Sequence, residues 1–212
     1  MRILILLLLV PSLAFASVPK DYGVNLVKEA EKYKYVREDL GPNRSNDIDL
    51  MLKELGLPKG LSWCLAYVQR VWKDYCTNNQ VKNPMPKGVA RVSLLLRKAE
   101  SNPYQWKLKS AKSLMVGANN AKVGDMTIHI TGKDVSAETN FNGHIGIIGA
   151  LYNIDSNFVW EGNTGPEPQA VAKKLNIEQE RNASGVTAGV HYRYRTYAPK
   201  SNFRIAYLIE AR

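Results

Sequence analysis

Gly60-Leu-Ser-Trp-Cys-Leu-Ala-Tyr-Val-Gln-Arg-Val-Trp72 is the stretch on which the reading of this chain turns. Leu65, Val68, Trp72 and Tyr75 recur at helical spacing, so residues 63 to 76 read as one helix. Ser62 is a natural N-cap, which puts Trp63 and Cys64 in the first turn. A cysteine attacks as its thiolate, and the dipole and free N–H groups of a helix N-terminus lower a thiol's pKa. Cys64 therefore stands where nucleophilic chemistry is favoured. Taken alone, a cysteine beside a tryptophan on an apolar helix more often marks a packed core. The second cysteine, Cys76, falls on the same helix. At about 1.5 Å rise per residue the two would stand roughly 18 Å apart, and a disulfide needs Cα atoms within about 7 Å. Cys76 reads as a small buried hydrophobe instead.

Upstream, Gly41-Pro-Asn-Arg-Ser-Asn46 forms a turn in which Ser45 or Asn46 can cap the next helix. Ile48, Met51, Leu52 and Leu55 give that helix one apolar face, Asp47 and Asp49 sit in its first turn, and Gly56 and Pro58 stop it. Val24, Val27, Ala30 and Tyr33 suggest an earlier amphipathic helix, and Val89, Val92, Leu96 and Ala99 a later one. After that the periodicity changes. Met126, Ile128 and Ile130 alternate with Thr127, His129 and Thr131, which indicates a strand. Residues 145–152, 158–161, 190–197 and 203–210 read as further strands. Helices first and antiparallel strands later make an α+β domain, with N-terminal helices packed on a C-terminal antiparallel β-sheet. Residues 132–142 and 164–188 are polar connections. The second is long enough to fold over a site or to hold a short helix around 169–180.

The chain carries 29 basic against 19 acidic residues, a net charge of +10. Residues 1–16 read as a signal peptide: Arg2, an apolar run from Ile3 to Val10, and an Ala14-Phe15-Ala16 cleavage site. The run is shorter than the about 20 residues a membrane-spanning helix needs, so no stable membrane insertion is expected. Ser17 to Arg212 is then one exported domain, its core from about residue 40, destined for the periplasm, the cell wall or the extracellular space. The positive excess favours an acidic partner such as an anionic wall polymer. Zinc-finger spacing, an aromatic-basic RNA signature and a basic run of five are all missing, so nucleic acid is not expected.

A nucleophilic cysteine needs a base. His129 lies on the polar face of its strand, and His191 alternates with Arg193 and Arg195 in a basic one. His144 differs in having Gly143, Gly146 and Gly149 around it, which read as open backbone that would admit a substrate chain. Asn153-Ile-Asp-Ser-Asn157 is a turn, so 144–152 and 158–163 form a hairpin with His144 near Asn163. Glu161 shares the face of Asn163 provided Gly162 makes no bulge, and either residue could orient the imidazole. Trp63 and Trp160 are candidates to flank the cleft.

Ser62-Trp63-Cys64 with Ala66-Tyr67-Val68, Lys122-Val-Gly-Asp125 leading into a strand, Gly143-His-Ile-Gly-Ile147, and Glu161-Gly-Asn163 resemble the CHAP family, the cysteine, histidine-dependent amidohydrolases/peptidases. The likeness runs over roughly residues 24 to 165. It implies a papain-like fold and hydrolysis of a peptidoglycan amide bond, in the stem or cross-bridge peptide or at N-acetylmuramoyl-L-alanine. It implies Cys64 as nucleophile, His144 as base, Glu161 as the orienting residue and Asn163 as a polar residue completing the site, with Trp63, Gly143 and Trp160 toward substrate. Some relatives bind calcium through an acidic loop before the cysteine. Residues 56–62 contain no acidic residue, so no metal and no cofactor are expected. Peptidoglycan is the expected partner and a monomer the expected state. The alternatives are a non-catalytic wall-binding protein on a decayed hydrolase scaffold, and an exported antibacterial amidase toxin.

Overall fold

The computed structural model describes residues 16–110, 113, 121–130, 143–153, 156–165, 173, 188–197 and 204–212. The signal segment apart from Ala16, the 132–142 connection and nearly all of the 164–188 connection, with its expected short helix, lie outside the described residues. Within them, four helices precede six strands: α1 Gly23–Glu31, α2 Asn46–Glu54, α3 Cys64–Asn79, α4 Val92–Ser101, β1 Trp106–Ser110, β2 Met126–Ile130, β3 Gly143–Asn153, β4 Ser156–Thr164, β5 Gly189–Thr196 and β6 Arg204–Ala211. The strands form one antiparallel sheet in the order β1-β6-β2-β3-β4-β5, so the fold class is α+β. Among the described residues, no helix is long and apolar enough to cross a membrane.

α2 starts as its sequence dictates. Ser45 is extended, and its Oγ accepts from the Ile48 N–H at 3.2 Å, which satisfies one of the helix's orphan donors. Its apolar stripe, Ile48, Met51 and Leu52, is buried. α3 is the central helix: Leu65, Val68, Val71, Trp72 and Tyr75 are buried, and it packs against α1, α2, β3 and β4. Its start differs from expectation by one residue. Trp63, not Ser62, occupies the N-cap position, and no side chain of its own caps the helix.

The apolar stripe expected for α1 holds except at Val24: Val27, Ala30 and Tyr33 pack on the core. Val24 is 60% exposed, while Leu26 and Ala30 are buried and Tyr22 packs on Trp72 with ring centroids 5.2 Å apart. Gly23 fixes this rotation, because a Cβ there would lie 1.9 Å from the Val123 carbonyl oxygen, so the helix is set by that backbone approach. Strand β1 has no counterpart in the sequence reading. Trp106-Lys-Leu-Lys-Ser110 resembles a solvated segment, yet Lys109 is fully buried, and its partners come from β6 and from the turn before β2.

The sheet separates two chemistries by side-chain alternation. Met126, Ile128, Ile145, Ile147 and Trp160 face one way and join the core shared with the helices. Thr127, His129, His144, Glu161, His191, Arg193 and Arg195 face the other way, together with the apolar Ile148, Val159 and Leu208. β5 also touches β6 although three strands lie between them, so the sheet curls around this polar face.

Candidate active site

Cys64 is the first residue of α3 and is buried. Its sulfur is hydrogen-bonded to His144 and accepts from the backbone N–H of Ile145. Burial opposes ionisation of the thiol. The His144 charge and these hydrogen bonds outweigh it, and the thiol is held below its ordinary value. Cys76, by contrast, is pushed up to about 12 by burial. Both cysteines are free thiols, at opposite ends of α3.

His144 enters from the second residue of β3. Its Nε2 lies 3.3 Å from Glu161 Oε2, which leaves Nδ1 as the nitrogen that meets the sulfur. Burial acts to lower its pKa, but the Glu161 charge, followed by that of Cys64, raises it to about 9. A depressed thiol beside a raised imidazole stabilises the thiolate–imidazolium pair around neutral pH.

Glu161 is fully buried on β4. The register pairs Gly146 with Glu161, so His144 is its diagonal neighbour across the hairpin. Gly146 makes this crossing possible. A Cβ there would sit 2.8 Å from Glu161 Cγ and 2.5 Å from Val159 Cγ1, so a side chain would block the carboxylate's route. Gly146 is therefore not open backbone. At Gly149, too, Tyr192 and Trp160 fill the space.

Glu161 has two further partners that sequence reasoning missed. Arg195 grips it with both arms of its fork, Nε to Oε1 at 2.7 Å and Nη2 to Oε2 at 2.5 Å. His129 Nε2 lies 3.3 Å from Oε1. Burial works against the carboxylate, but the Arg195 and His144 cations beside it hold its pKa well below the usual range. His129 itself is driven well below an ordinary histidine, first by burial and then by the nearby cations, so it is neutral. The signal lay in the basic alternation His191, Arg193, Arg195: three basic side chains on one strand face call for an anion opposite, and Glu161 pairs directly with His191.

Asn163 is placed elsewhere. A register shift between Glu161 and Thr164 marks a bulge, and Asn163 takes φ 57°. The condition for its sharing Glu161's face thus fails. Its amide oxygen accepts from the Trp63 N–H at 3.3 Å, and its nitrogen donates to Asn43 Oδ1 at 3.0 Å and Glu38 Oε1 at 3.1 Å, in the orientation that satisfies all three. Asn163 therefore caps the nucleophile's helix from outside.

Trp63 does not line a cleft. It is fully buried, its indole N–H donates to Glu38 Oε1 at 3.0 Å, and its ring packs on Gly162. Trp160 is half-buried on the opposite sheet face from Glu161, against Tyr192 at 4.9 Å. Gly143, also half-buried, opens β3 opposite Ile130 beside His144. Among the described residues, no group of three or more His, Cys, Asp or Glu is arranged to hold a metal ion. No family model matches the chain, and no curated protein matches it.

Proposed function

We propose that this protein is a cysteine hydrolase of amide bonds, acting on peptidoglycan in the manner of the CHAP family that its motifs resemble. The observation that carries the reading is the unbroken contact chain Cys64–His144–Glu161, with the sulfur at the first residue of a helix. A decayed scaffold gives no reason for such a chain to stay intact. The central helix with its cysteine at the N-terminus, packed against the histidine strand and the next one, supports a papain-like arrangement of helices on the sheet.

In this mechanism the Cys64 thiolate attacks the substrate carbonyl and His144 carries the proton that the leaving amine takes up. Water, deprotonated by His144, then hydrolyses the thioester and regenerates the thiol. The first N–H groups of a helix have no intrahelical acceptor. Asn163 takes that of Trp63, and the Cys64 N–H, next in line and beside the sulfur, is a donor for the oxyanion. Glu161 holds the imidazole in the tautomer and orientation that the reaction requires. The signal-like N-terminus supports export to the periplasm or cell wall, and the positive excess supports retention on anionic wall polymers, weakened by salt.

The test is hydrolysis of isolated peptidoglycan by the mature protein and by Cys64→Ala, with fragments identified by mass spectrometry. Wild-type protein is expected to release fragments with a new free amine, and the variant to lose at least about a thousandfold in rate. Equal release by both proteins would sink the reading. The position of the new amine distinguishes an endopeptidase from an N-acetylmuramoyl-L-alanine amidase.

A further inference from the structure

We propose that Arg195 and His129 are positioning residues that hold Glu161 aimed at His144, and that Arg195 makes the buried Cys64–His144–Glu161 cluster electrically neutral when the thiolate–imidazolium pair forms. This rests on the reading of Cys64 and His144 as the reacting pair.

The geometry is that of a carboxylate approached by four side-chain nitrogens. Oε2 faces His144 Nε2 at 3.3 Å and Arg195 Nη2 at 2.5 Å; Oε1 faces Arg195 Nε at 2.7 Å and His129 Nε2 at 3.3 Å. The bidentate fork fixes the plane of the carboxylate, which a lysine's single point charge cannot do. His129 is fixed in turn. Thr127 Oγ1 lies 2.6 Å from its Nε2, and its ring stands edge-on to that of His144, with centroids 6.0 Å apart at 82°. All four residues project from the polar face of the curled sheet.

Charge makes the arrangement more than a structural ion pair. Cys64 thiolate, His144 imidazolium and ionised Glu161 together carry one net negative charge in a site where Cys64 and Glu161 are buried and His144 is 14% exposed. An isolated buried charge is strongly unfavourable, and the Arg195 guanidinium cancels it. The other groups facing the cluster are His191 and Arg193 on β5 and the Tyr67 phenol on α3, and His129 is neutral. Removing the Arg195 charge therefore destabilises the thiolate and makes the imidazolium harder to deprotonate. Both limbs of the pH profile move to higher pH.

The experiment follows the rate of Cys64 alkylation by iodoacetamide against pH, which needs no substrate. In Arg195→Gln the thiolate midpoint is expected to rise by about one unit, lowering the alkylation rate about tenfold on the acid limb of the profile, below the wild-type midpoint. Arg195→Lys, which keeps the charge and loses the fork, is expected to titrate like wild type but to hydrolyse peptidoglycan about tenfold more slowly in kcat with KM unchanged. His129→Gln is expected to behave like Arg195→Lys. An unchanged alkylation profile in Arg195→Gln overturns the charge role. Full kcat in both Arg195→Lys and His129→Gln overturns the positioning role. If Arg195→Gln does not fold, a displaced profile in Arg195→Lys decides against the charge role instead. Peptidoglycan hydrolysis by Cys64→Ala would remove the hydrolase reading and leave the alkylation result standing, so the two failures are distinguishable.

Discussion

Asn163 sits at φ 57°, a backbone region that costs most residues roughly 1 kcal/mol and that asparagine and glycine tolerate best. Its amide meanwhile closes the open end of α3 through the Trp63 N–H. These two contributions separate by substitution. Asn163→Gly keeps the backbone and loses only the clasp, about 1 kcal/mol of stability by analogy with other helix caps. Asn163→Ala loses the clasp and meets the backbone penalty as well, so urea unfolding should place it about 1 kcal/mol below the glycine variant. Both variants should lose activity while keeping the alkaline limb near pH 9, because His144 is held by Glu161 and not by Asn163. An Asn163→Gly enzyme whose alkaline limb shifts would return the orienting role to the amide. The motif Glu161-Gly-Asn163 was legible as a functional unit, but not the division of labour within it. That division depends on a one-residue bulge, and a bulge is set by pairing with β5, far along the chain.

Helix α3 was legible to within one residue at its start and three at its end because its apolar spacing and the turn before it agree. The partners of that helix were less so. Val24 carried the right hydrophobicity at the wrong angle on α1, since the rotation is decided by the Gly23 approach to Val123. Strand β1 was missed because the chemistry that buries Lys109 lies in Asp125 and Glu210. The same helix carries a test of its two thiols. Cys64 is depressed by His144 at one end, while burial pushes Cys76 up to about 12 at the other. Native protein treated briefly with iodoacetamide near neutral pH should take up one label, on Cys64, and denatured protein two. Cys76→Ala should keep activity and the single label. Prompt double labelling of the folded protein would mean that the helix environment does not separate the thiols.

Across the whole molecule, the polar face of the sheet holds two buried charge clusters of opposite character. Around Glu161, cations outweigh burial and the carboxylate is depressed; around Asp125, burial outweighs Lys109 and the carboxyl is raised. Lys109 Nζ lies 2.8 Å from Asp125 Oδ2 and 2.9 Å from Glu210 Oε2, and the Asp125 carbonyl accepts from the Ile148 N–H at 2.9 Å, so this cluster ties β1, β6 and the start of β2 to β3. Removing one partner of a buried pair leaves the other charge stranded, and Lys109→Met should lose about 3–5 kcal/mol at pH about 8. The loss should depend on pH with a definite sign. A carboxyl that binds its proton more tightly folded than unfolded gains stability as pH falls through its folded value, and without Lys109 the Asp125 value rises further. Glu161 runs the other way, since its stabilisation is present above its unfolded value of about 4.3 and lost below it. His144, raised to about 9, stabilises fully below its unfolded value and loses that as pH rises, equally in variant and wild type. The gap in unfolding free energy between Lys109→Met and wild type should therefore narrow from pH about 8 to pH about 5, while Cys64 alkylation in the folded variant stays at the wild-type rate. A gap that stays constant over that range would mean that Asp125 is not the stranded charge, and slowed alkylation would mean that the two clusters are coupled through the sheet.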